Sequence, residues 1–168
     1  MPLLTVLAPG TPVSVPREKV AAAVVEWAAM RQGASPLRYG LAWQNGGRGP
    51  TFRRTVTADL VEELDLGPDA AAPPPRVTVI APGSAVTCPM ERMPNLRVEF
   101  VEVRTTPEAA AAVTYRLTWN EEGGPTRRAA FRGDQVEEAP EAAGRTTVGR
   151  TRLAELGRMM ADQTPDEG

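Results

Sequence analysis

The chain has no histidine, one cysteine, few aromatic residues and no long apolar run, and each shortage closes off some chemistry. Without imidazole there is no Ser-His-Asp or Cys-His nucleophile system, no His-ligated zinc and no side chain that ordinarily titrates near neutral pH. A lone Cys88 excludes an internal disulfide framework. No GxxxxGK[ST] string is present, which excludes a P-loop. No apolar stretch approaches the roughly 20 residues that cross a bilayer. Lysine is confined to Lys19, and the net charge of -2 with a pI near 5.3 argues against a general nucleic-acid or membrane-surface binder. The opening MPLLTVLAPG lacks a basic segment and is interrupted at Pro9 and Gly10, so no signal peptide is expected. A cytoplasmic protein, or one incorporated into an assembled particle, is the expectation.

What the chain does contain is a repeat. TVLAPGTPVSVPREK, starting at Thr5, returns 73 positions later as TVIAPGSAVTCPMER from Thr78, with eight of fifteen positions identical. Unrelated segments would share about one. Cys88 falls where the first copy has Val15, which marks it as a small buried hydrophobe. The paired Ala8-Pro9-Gly10 and Ala81-Pro82-Gly83 fit a tight turn or bulge after a strand, proline fixing φ and glycine permitting a positive one.

Residues 19–32 read alone as a helix, being alanine-rich with Val20, Val24, Trp27 and Arg31 near one stripe. At the same offset, however, Val25-Glu26-Trp27 meets Val98-Glu99-Phe100, and Met30-Arg31 meets Val103-Arg104, in a stretch rich in strand formers after Pro94. Both copies are therefore expected to be strands. LRYGLAW from Leu37 and VTYRLTW from Val113 alternate cleanly, placing Leu37, Tyr39, Leu41 and Trp43, or Val113, Tyr115, Leu117 and Trp119, on one core face. Gly-rich turns follow, and then segments sharing Arg53/Arg128, Asp59/Asp134 and the pairs Glu62-Glu63/Glu137-Glu138.

The expected fold is all-β: two tandem β-meander repeats of about 65–70 residues packed as a pseudo-twofold sandwich or barrel, since a unit of that size has only a marginal core alone. Repeat 1 spans 1–65, a Pro-rich linker 66–75, repeat 2 spans 76–143, and a short C-terminal helix and tail span 144–168. The helix follows from Leu153, Leu156 and Met160 sharing one face. Trp27, Trp43, Phe100 and Trp119 are expected to supply much of the buried core. The string Gly133-Asp134-Gln135-Val136 resembles the glycine-aspartate box of cradle-loop and double-psi β-barrels, which are also built from two related halves. Its counterpart Ala58-Asp59-Leu60-Val61 has no glycine, so the likeness speaks to turn geometry and assigns no family. VTYRLTW likewise looks like one strand of a fibronectin type III module, although the repeat is too short for that module.

These observations lead to a non-enzymatic protein acting through protein–protein contacts as a structural, assembly or accessory component, for example of a virion or other large complex. An oligomer or complex member is expected, with no cofactor, no metal and no catalytic residue assigned. Partner contacts would fall on surfaces that differ between the copies: Glu121 and Glu122, and the helical Leu153, Leu156 and Met160. The alternative is a pseudo-symmetric barrel that binds a small or anionic ligand through Arg53, Arg54, Arg127, Arg128 and Arg132. A second alternative is a carboxylate-based hydrolase using Asp59, Asp134 or the Glu pairs, although neither aspartate lies in an Asp-Thr/Ser-Gly string.

Overall fold

The computed structural model describes residues 3–33 and 37–140, whose regular structure consists of strands and short 3-10 turns. The strands are β1 (Leu3–Val6), β2 (Pro12–Val15), β3 (Val20–Arg31), β4 (Arg38–Gln44), β5 (Thr51–Thr57) and β6 (Glu62–Glu63). They continue with β7 (Val77–Ile80), β8 (Ala85–Cys88), β9 (Met93–Arg104), β10 (Ala112–Asn120), β11 (Thr126–Arg132) and β12 (Glu137–Glu138). The fold is all-β over these residues, and the helix-like stretch after Lys19 is strand β3. The expected C-terminal helix, with Leu153, Leu156 and Met160, lies outside the described residues.

Local chemistry sets the corners. After β1 the Thr11 N–H donates to the Ala8 carbonyl at 3.2 Å while Gly10 adopts a φ of +92°. After β7 the Ser84 N–H donates to the Ala81 carbonyl at 3.2 Å, with Gly83 at +90°. Proline presets the first central residue and glycine accepts the positive φ of the second, the pattern of a type II turn. Each turn is fastened to a long strand, because the Gly10 and Gly83 N–H groups donate to Val25 and Val98 carbonyls at 2.7 Å.

Strands β5-β4-β3-β9-β10-β11 form one continuous antiparallel sheet. β3 is long enough to serve two neighbours on its other edge, pairing β2 through its first half and β9 through its second. β9 is shared in the same way between β8 and β3. β1 and β7 form a separate two-stranded ribbon. At the centre of each cross-half pairing stand residues 73 positions apart, Thr5 opposite Thr78 and Ala29 opposite Glu102.

One extra residue interrupts each long strand. Against β4, β3 carries Glu26 between Val25 and Trp27; against β10, β9 carries Glu99 between Val98 and Phe100. Such a bulge reverses the inside–outside alternation. Ala23 and Val25 are buried before it and Ala28 after; Leu96 and Val98 are buried before it and Val101 and Val103 after. Trp27 and Phe100 are thereby turned to the outer face and are only half-buried. This corrects the expectation that aromatic rings fill the core: Trp43 and Trp119 too are only partly buried at its margin.

The core is instead aliphatic and continuous across both halves. Val13, Val25 and Leu41 lie in one buried cluster with Val86, Val98 and Leu117, and Cys88 is as buried as Val15. The β1–β7 ribbon covers the centre of the inner face, where Val6 and Val79 meet Ala28, Val101 and Val103.

Two buried tyrosines tie that ribbon down. The Leu7 N–H donates to the Tyr39 hydroxyl at 3.1 Å, and the Ile80 N–H donates to the Tyr115 hydroxyl at 2.9 Å. Burial pushes both phenol pKa values above their ordinary range, and the donated N–H bonds offset part of the rise. Removing one hydroxyl strands a buried N–H, so Tyr39→Phe or Tyr115→Phe should each cost about 1–3 kcal/mol in urea unfolding. Because burial raises each phenol's folded-state pKa above the unfolded value of about 10, ionisation favours the unfolded chain: stability is complete below that pH and is lost as pH rises through the folded value. The melting temperature of the wild type should therefore fall more steeply above about pH 10 than that of the double Phe variant; parallel curves would contradict it.

Candidate functional site

The outer face of the central sheet gathers arginines and aromatic rings where the two halves meet. Register defines the rows. Arg38, Ala29, Glu102 and Thr114 are successive cross-strand neighbours on β4, β3, β9 and β10. One pleat to one side runs Gly40, Trp27, Arg104 and Ala112; one pleat to the other side run Arg31, Phe100 and Arg116. Between these rows lies an open cleft of about 460 Å³ lined by Trp27, Ala29, Arg31, Arg38, Phe100, Glu102 and Arg104, among others.

Cross-strand pairing stacks charge on ring. The Arg104 guanidinium lies 5.5 Å from the Trp27 ring centroid, and Arg31 lies 5.7 Å from that of Phe100. Arg116 also covers Phe100, at 5.4 Å. Stacking holds the planar guanidinium while leaving N–H groups at its edge to donate, the arrangement that suits a carboxylate or phosphate. Arg104 already holds the Glu102 carboxylate, two residues back on its own strand. Among the described residues, Arg31, Arg38 and Arg116 have no carboxylate partner.

The arginines expected to bind ligand are placed differently. Arg53 pairs with the bulge residue Glu26 at 3.1 Å and Arg128 with the bulge residue Glu99 at 2.9 Å. Arg54 meets Glu18 at 2.9 Å, Arg127 meets Glu121 at 3.0 Å, and Arg132 meets Asp134 at 3.4 Å. All five are neutralised locally at exposed positions, where such pairs add about 0–1 kcal/mol each. Glu121 and Glu122 lie in the turn after β10, with Glu121 occupied by Arg127.

Asp59 and Asp134 sit in the 3-10 turns Ala58–Leu60 and Gly133–Gln135, which follow β5 and β11. Those strands are the opposite ends of the six-strand order, so the sheet does not bring the two carboxylates together as neighbours. A larger cleft of about 770 Å³ runs along residues 106–114 and 132–134, but short side chains dominate its lining and its Arg132 is the one paired with Asp134. Among the described residues no cluster of acidic or cysteine side chains could hold a metal ion, and no helix is long and apolar enough to cross a membrane.

Sequence reasoning passed over Arg31 and Arg104 as site residues. The available signal was their recurrence at an offset of 73, four residues after an aromatic in each copy. The antiparallel register then exchanges partners, so that each arginine stacks on the other half's ring.

Gly40 makes room for this arrangement, since a Cβ there would stand 2.1 Å from the Trp27 indole. Gly40→Ala should therefore cost about 1–3 kcal/mol through overpacking. The penalty should largely vanish in a Trp27→Ala background when the double-mutant cycle is read by chemical denaturation. An undiminished penalty there would mean that the indole is not what the new methyl meets. Compared with protein families, curated proteins and solved structures, the chain has no match.

Proposed function

We propose that the chain is a duplicated β unit folded about a pseudo-twofold axis, and that it works by contact with a protein partner as an accessory or assembly component. The observation that carries this reading is the outer sheet face. Its partly buried Trp27 and Phe100 are covered by guanidinium groups, while the opposite face is an aliphatic core. Aromatic residues and arginine are the types that concentrate at protein interfaces and carry most of their binding energy. In the three central rows Arg31, Arg38, Arg104 and Arg116 face one acid, Glu102, so the complementary partner presents acidic side chains.

Catalysis has little to work with on this face: its arginines are permanent cations and its one carboxylate is held by Arg104. Contact requires no more than the face provides. The paired Glu26–Arg53 and Glu99–Arg128 bridges flank it as a polar margin.

Purified protein immobilised and exposed to extract of its source organism should retain a discrete acidic partner. Arg116→Glu, a charge reversal on the exposed face, should abolish retention, whereas Met90→Asp, on the 3-10 turn after β8, should leave it intact. Equal retention by wild type and Arg116→Glu, or retention of no partner by either, would overturn the reading.

A further inference from the structure

The two halves of the outer face differ at its centre in the residue that stands two positions before the stacked arginine. In the second half Arg104 stacks on Trp27 and is joined by Glu102, two residues earlier. In the first half Arg31 stacks on Phe100, but the residue two positions earlier is Ala29, directly across the strand pair from Glu102. Where one half supplies its own acid, the other supplies a methyl group.

The surroundings of that methyl group suit a negative charge. Arg38 is the cross-strand neighbour of Ala29 on β4, within about 5 Å at the Cβ level, and Arg31 is one pleat further along β3. Neither has a carboxylate partner among the described residues, and both line the cleft of about 460 Å³ with Ala29. Glu102 on the far side does not cancel them, because its charge is taken up by Arg104. A glutamate at position 29 would have faced Glu102 directly, an unfavourable like-charge pair. A carboxylate arriving from outside avoids that fixed position and can approach Arg31 and Arg38 from solvent.

We infer that the cleft over Ala29 is a carboxylate-binding site, with Arg31 and Arg38 as its donors, and that it takes a Glu or Asp side chain from an acidic segment of the protein partner. The inference rests on the contact reading above and names the group recognised. Carboxylate is the chemistry because Glu102 on Arg104 is the same pairing, formed within the chain one position away. Arg31, placed over the Phe100 ring, can donate two parallel N–H bonds, and Arg38 adds a further donor.

The test uses a capped hexaglutamate peptide and titration calorimetry at low salt, with folding of every variant checked by circular dichroism. Arg31→Ala and Arg38→Ala should each weaken binding about tenfold, the loss of one charge-assisted contact. Ala29→Glu should weaken it at least as much with both arginines still present, by filling the site from within. Glu102→Gln should strengthen it by releasing Arg104. Arg17→Ala, on the exposed 3-10 turn after β2, should leave binding unchanged. Unchanged affinity in both Arg31→Ala and Ala29→Glu would overturn the site, as would equal losses in Arg17→Ala, which would mean general attraction to a polyanion. Tighter binding of inorganic phosphate than of the peptide would overturn the carboxylate assignment. If Arg116→Glu abolishes partner retention while Ala29→Glu and Arg31→Ala retain it fully, the contact reading stands and the carboxylate site falls. Failure of retention in wild type alongside peptide binding lost in Arg31→Ala would have the opposite meaning.

Discussion

Everything in the described fold depends on how β3 and β9 meet. They pair antiparallel through their C-terminal halves, with Ala29 opposite Glu102. That one register joins strands from the first and second halves of the described chain into a sheet of six strands over a continuous aliphatic cluster. It also exchanges side chains between the halves. An arginine four residues beyond an aromatic cannot reach its own ring along an extended strand, but antiparallel pairing sets it across from the other half's ring. The cation–ring pairs are thus a product of the pairing that builds the core, and the cleft between them could not exist in either half alone.

The two glutamate bulges are the second determinant. A strand with strict alternation would have sent Trp27 and Phe100 to the same side as Val25 and Val98. One inserted residue in each strand sends the rings outward and continues the core with Ala28 and Val101. The inserted residues are acidic and occupied: Glu26 and Glu99 meet arginines two strands away, on β5 and β11. The bulge therefore separates an inner surface of valine and leucine from an outer surface of rings and guanidinium groups.

Several of these features were legible in the sequence. Burial alternates as expected at Tyr115-Arg116-Leu117, and Tyr39 and Leu41 are likewise buried, although Gly40 between them is buried too, against the Trp27 indole. β3 was legible only by comparison with β9, because the parity change at Glu26 and the weak strand preference of its alanines imitate a helical period. The bulge itself leaves no local signal, so strict alternation along β3 and β9 points Trp27 and Phe100 at the core. Arg53 and Arg128 stood out as recurring cations, yet their carboxylate partners sit on those same bulges, so their neutralisation could not be read from spacing. Arg31 and Arg104 recurred just as plainly. Their importance comes from a cross-half register that no single repeat encodes.

The tyrosine bonds carry a consequence for the order in which the chain assembles. Tyr39 reaches back 32 residues to Leu7, and Tyr115 reaches back 35 to Ile80, so each hydroxyl is in place only once its β3–β4 or β9–β10 hairpin has formed. The ribbon they hold joins segments more than 70 residues apart, a separation it shares with the β3–β9 pairing. Local hairpins should therefore form before either long-range pairing, and the ribbon closes over a surface that both hairpins have already shaped. On that account, mutations in β1 and β7 should act mainly on the rate of unfolding and those at the hairpins on the rate of folding. The phenol groups then serve as latches: they hold a late-closing strap over a core that would otherwise be open to water at its centre.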